Sequence, residues 1–102
     1  MLNPQMLKQI KQMQEDIKRI QTQINESTFY GQAGGSVVKV SVKGTKEVLS
    51  INIKKEEVDF SDIEMVQDLI VAALNDAFKK VDKELEESLG SVTKGMNMPG
   101  LF

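Results

Sequence analysis

The 102-residue chain has no cysteine, no histidine and no tryptophan, and only one tyrosine and two prolines. Without cysteine no disulfide forms, which suits a reducing compartment. Without histidine and cysteine the commonest zinc ligands are missing, and so is the side chain that most often moves protons at neutral pH. Catalysis would fall to carboxylates, lysine, serine or the lone tyrosine, and the spacing of these residues nominates no carboxylate pair. The chain is therefore read as a non-enzyme with no cofactor, no metal and no small-molecule substrate. Its longest apolar run, Leu69 to Leu74, is six residues, whereas a membrane-spanning helix needs roughly 20. The polar N-terminus also lacks the apolar core of a signal peptide. A cytoplasmic protein without a membrane partner is expected.

Charge is present in both signs but unevenly placed. The net charge is −2, yet residues 1–54 carry eight basic and four acidic side chains, or +4, while residues 55–102 carry five basic and eleven acidic, or −6. A basic half suits a polyanion, and an acidic half keeps the molecule soluble. The acidic total weighs against reading a nucleic-acid binder from composition alone.

Asn3 and Pro4 have the residue types of a helix N-cap and first helical position, and a helix is predicted over 4–25. Met6, Ile10, Met13, Ile17, Ile20 and Ile24 recur at alternating intervals of four and three, a narrow heptad seam that suits packing on another helix. That seam is expected to serve a structural or dimer contact. From residue 27 onward the apolar period becomes two. Strands are predicted over 27–33, 36–43 and 47–54, with Val38, Val40 and Val42 on one face, Leu49, Ile51 and Ile53 on the next strand's matching face, and Gly34-Gly35 and Gly44-Thr45-Lys46 in the turns. Gly31 weakens the first of these strands. A three-stranded meander leaves two edges, which a second subunit could pair with. Ser61 and Glu64 then have capping-box spacing before a long amphipathic helix over 62–89, with Gly90 as its stop and 91–102 as a flexible tail. The fold class is α+β, an αβββα arrangement in one domain spanning 1–90.

The Gln- and Met-rich opening KQIKQMQEDIKRIQ (Lys8 to Gln21), the turn and strand YGQAGGSVVKVSVKG (Tyr30 to Gly44), QDLIVAALNDAF (Gln67 to Phe78) and the ending GMNMPGLF (Gly95 to Phe102) occur in an order that resembles the YbaB/EbfC family of nucleoid-associated proteins. The resemblance covers nearly the whole chain, and the Gln67–Phe78 stretch is its most specific part. It implies a homodimer with a sheet-based core and projecting helices, located in the nucleoid and binding double-stranded DNA with little sequence preference.

Within that expectation Lys8, Lys11, Lys18 and Arg19 lie off the heptad seam and are the candidate DNA-binding residues, although Glu15 and Asp16 interrupt them. A solvated charged face is the alternative. Lys39, Lys43, Lys46 and Lys54 form a second basic set on the polar sheet face and hairpin; lysines on sheet edges also block aggregation, and that reading is preferred for them. Lys79, Lys80 and Lys83 sit among acids and are read as i,i+4 ion pairs. Asn75 interrupts the apolar helix and is read as structural, fixing the helix on the sheet or across a dimer. A non-nucleic-acid interaction module, such as a small prefoldin-like chaperone or adaptor, is the competing function.

Overall fold

The computed structural model describes residues 3–96. Their order is α1 (Pro4–Glu26), β1 (Thr28–Ala33), β2 (Val38–Lys43), β3 (Val48–Ile53) and α2 (Ile63–Met96), with one turn of 3-10 helix at Lys55–Glu57 before α2. This is the expected αβββα architecture. At the start of α1 the Met6 N–H donates to Asn3 Oδ1 at 2.7 Å, and Pro4 occupies the first turn, where a missing N–H costs nothing. The helix ends at Ser27, whose extended backbone turns the chain into β1.

The three strands are antiparallel in the order β1-β2-β3. Register places Phe29, Gly31 and Ala33 of β1 opposite Val42, Val40 and Val38 of β2. These valines are buried and, with Ile20, Ile24, Ala73, Ala77 and Val81, make the core. Complete burial of a valine contributes on the order of 1.5–3 kcal/mol, so this row does much to hold the sheet under the helices. Between β2 and β3 the register slips beside Ser41 and Val42. Ile51 and Ile53 stand opposite Val40 and Val38 as expected, whereas the bulge puts Val48 rather than Leu49 opposite Val42.

Gly31 has a steric reason to be glycine. A Cβ there would collide with the Ala73 carbonyl oxygen and come within 2.6 Å of the Ala77 nitrogen, because the backbone of α2 rests directly on β1. Ala73 and Ala77 have side chains small enough for that approach. Gly44 is similar, since a Cβ there would strike the carbonyl of Ile24 and push α1 off the β2–β3 hairpin.

Two expected features of α2 are corrected. The Ser61–Glu64 capping box does not form: the Ser61 hydroxyl and N–H both donate to Asp59 Oδ1, at 2.6 and 3.0 Å. Asp62 takes the capping role, its Oδ1 accepting the Met65 N–H at 3.2 Å. An aspartate two residues upstream captures the serine in a local turn, and a carboxylate at the cap also complements the helix dipole. The Ser61 hydroxyl, and then its N–H, hold the Asp59 carboxyl below its ordinary pKa. The helix also does not stop at Gly90 but continues to Met96. A glycine inside a helix costs about 1 kcal/mol, and the packing of Leu85, Leu89 and Val92 against the core cluster offsets it. The expected tail is thus helical over 91–96, and its remainder, 97–102, lies outside the described residues. Beyond the sheet, α2 pairs with α1 through Ile20 and Ile24, giving an elongated shape of 67 × 25 × 17 Å.

Candidate nucleic-acid interface

On α1 the apolar seam and the cations occupy opposite sides. At about 100° per residue, Lys8, Lys11, Lys18 and Arg19 fall within an arc of roughly 100° facing away from Ile10, Ile17 and Ile24. All four are exposed. The core anchors the seam and so orients the stripe: Ile20 and Ile24 are buried, Ile10 and Met13 are half-buried, and Ile17 is 39% exposed. The C-terminal half of the seam therefore packs on α2 of the same chain.

Among the described residues Lys8, Lys11 and Lys18 have no carboxylate within ion-pair distance. Arg19 Nη1 lies 2.9 Å from Asp16 Oδ1, and Gln12 Nε2 donates to the same oxygen at 3.0 Å. An exposed pair of this kind is worth about 0–1 kcal/mol, small enough for Arg19 to leave Asp16 for a phosphate. Glu15 falls within the basic arc and subtracts a charge from it.

Of the α2 lysines expected to pair, Lys80 and Lys83 do so, while Lys79 has no carboxylate within ion-pair distance among the described residues. Lys80 Nζ lies 3.4 Å from Asp76 Oδ2 and Lys83 Nζ lies 4.0 Å from Glu87 Oε1, both i,i+4 pairs. Lys46 Nζ meets Asp82 Oδ1 at 2.9 Å, binding the β2–β3 hairpin to α2.

The Asp76–Lys80 pair has a second task that periodicity does not signal. Asp76 Oδ2 accepts the outward N–H of Gln32 at 3.1 Å, and Lys80 Nζ donates to the outward carbonyl of Tyr30 at 2.8 Å. These are free-edge groups of β1, so α2 closes that edge with side chains. The Gln32 amide holds the Asp76 carboxyl below its ordinary pKa against the opposing effect of burial, and the Lys80 charge adds a lesser lowering. The sequence shows an i,i+4 pair; only the register of α2 on β1 shows what the pair caps.

The opposite side of the sheet is bare. Val48, Leu49 and Ile51 of β3 are 42%, 47% and 45% exposed, although Val42 and Val40, opposite Val48 and Ile51, are buried. On the flank of α2 turned away from Asp76 and Lys80, Ile63 and Val71 are exposed and Ile70, Leu74 and Phe78 half-buried. Asn75 is exposed. It therefore does not fix α2 on its own sheet, because helical phase places it on the back of α2, about 160–200° from Ala73 and Ala77.

No group of three or more His, Cys, Asp or Glu suited to a metal occurs among the described residues. Among the same residues, no helix is long and apolar enough to cross a membrane.

Residues 2–96 match the model of the YbaB/EbfC DNA-binding family. A nucleoid-associated protein of Alkaliphilus metalliredigens is 46% identical over 97 residues, covering 95% of this chain and 85% of the relative. A nucleoid-associated protein of Bacillus subtilis is 54% identical over 77 residues, covering 76% of this chain and 72% of the relative. The crystal structure of an uncharacterized Helicobacter pylori protein superposes with a TM-score of 0.62 at 23% identity, covering 76% of this chain and 90% of that one, a likeness of fold.

Proposed function

The chain belongs to the YbaB/EbfC DNA-binding family, and from that premise we propose that it acts as a homodimer that holds double-stranded DNA mainly by its phosphates, through Lys8, Lys11, Lys18 and Arg19 of each subunit. The family is a DNA-binding one and not an enzyme family, and the protein is placed in the nucleoid with its relatives. The observation that carries the phosphate reading is the placement of four exposed cations on the side of α1 opposite a seam anchored in the core. Lysine and arginine reaching phosphates give affinity without base readout. Arg19 is the only arginine in the chain, which leaves little bidentate reading of guanine available. Such binding suits a role in nucleoid organisation or gene expression.

The dimer is proposed from the unfinished side of the sheet. The bare inner face of β3 and the apolar flank of α2 lie on one chain, so a two-fold axis would let the α2 of each subunit cover the β3 of the other. The closed edge of β1 leaves this as the open side, and an exposed apolar patch of this kind marks an interaction surface.

The test is a titration of random duplex against salt with protein of measured oligomeric state. If about six phosphates are neutralised, log K should fall against log salt with a slope of about −5. Changing Lys8, Lys11, Lys18 and Arg19 together to alanine should flatten that slope while leaving the dimer intact. An unchanged slope would reject these residues.

A further inference from the structure

None of the three strands contains an acidic residue, although the chain as a whole has more acids than bases; the nearest acid along the strands is Glu47, just before β3, whose carbonyl accepts the Lys43 N–H at 2.8 Å. The outer face of the sheet, away from the core, is occupied instead by Lys39 and Lys43 of β2, by Lys54 at the end of β3, and by Tyr30, Asn52 and the Ser41–Ser50 hydroxyl pair, whose oxygens lie 2.6 Å apart. The three lysines are exposed and have no carboxylate within ion-pair distance among the described residues. Lys39 and Lys43 are on the central strand. A central strand has no free edge to protect, so edge protection does not account for them.

From this arrangement we infer that the outer sheet face is a second phosphate-backbone contact for duplex DNA, separate from the α1 stripe; it rests on the DNA-binding reading above. Lys39 borders two open depressions. One, of about 230 Å³, is shared with Lys54 and Asn52; the other, of about 270 Å³, is shared with Tyr30 and Lys80. Cations beside hydroxyl and amide donors match phosphate oxygens. Among the described residues the face has no apolar anchor beyond Tyr30, and an anionic membrane surface would call for one.

The two cationic surfaces come nearest at Arg19 and Lys43 and diverge from there. Ile24 abuts Gly44 at the end of β2, Lys8 lies about 24 Å back along α1, and Lys39 about 16 Å along β2 in the other direction. Together they reach different stretches of one duplex, or two duplexes. The outer face also stays free in the proposed dimer, which uses the inner face of β3.

The experiment compares the parent protein with Lys39→Gln/Lys43→Gln/Lys54→Gln and with an equal-charge control, Lys55→Gln/Lys79→Gln/Lys83→Gln, in the same salt titration. Circular dichroism and sedimentation establish that fold and oligomer are unchanged. The sheet variant should lose up to about 0.9 of slope per contact and subunit, and the control less than about 1 in total. Lys39→Gln alone should give a smaller change of the same sign. A sheet variant equal to the parent, while the α1 variant is weakened, overturns this inference and leaves the α1 reading standing. A sheet variant weakened only as much as the control overturns it too, as does one that loses only anionic vesicles. A parent that ignores duplex in dilute salt overturns both.

Discussion

The two sides of the sheet are built on different terms. On the β1 side α2 is seated to backbone contact over Gly31, and the strand's outward N–H and C=O are taken by Asp76 and Lys80. On the β3 side the apolar face extends past the reach of the chain's own helix, leaving Val48, Leu49 and Ile51 open. One helix cannot cover three strands, and this chain spends it on β1 and β2. In the dimer proposed above, the uncovered strand would be a recognition surface rather than a packing defect, because the same chain carries an apolar helix flank that suits it.

The largest expected effect comes from breaking the finished side. Gly31→Val puts a branched side chain into the backbone of α2, and overpacking against backbone is expected at or above the upper end of the usual 1–3 kcal/mol. Thermal and urea unfolding would show a large loss of stability, and a stability within 0.5 kcal/mol of the parent would contradict the close seating of α2, a threshold set by the usual range for surface changes. Next in size is Ile51→Glu, a charge on the open face. The isolated subunit should keep its helical signal while the dimer dissociates, as sedimentation would record; a variant that stays dimeric would move the interface elsewhere.

The smallest effect is expected at the β1 edge. Asp76→Asn keeps the shape but removes the charge that Gln32 and Lys80 stabilise. The folded pKa of Asp76 is depressed, so its contribution is present above the ordinary value near 3.8 and lost as pH falls through the folded value. The parent should therefore melt slightly above the variant at neutral pH, and the gap should close in acid below about pH 4. A gap that widens on acidification would contradict the assigned sign.

Much of this was legible in the residues. The period of seven in α1, the period of two around Val38–Val42 and the wide stripe of α2 specified the αβββα order, because each period buries an apolar set only in one kind of element. The off-seam position of Lys8, Lys11, Lys18 and Arg19 was legible for the same reason. Local signals served less well where a stronger neighbour competed: Asp59 drew Ser61 away from the cap, and packing carried α2 through Gly90. Asn75 does not seat α2 on its own sheet, because an apolar neighbourhood in sequence includes both faces of a helix.

What the sequence determined by itself was the kind, order and apolar face of each element, since these depend on spacing along one chain. The tertiary structure alone decided which strands α2 covers and that Asp76 and Lys80 close the β1 edge. Those are relations between residues dozens of positions apart. Strand register and the seating of the helix create them, and no local period encodes either.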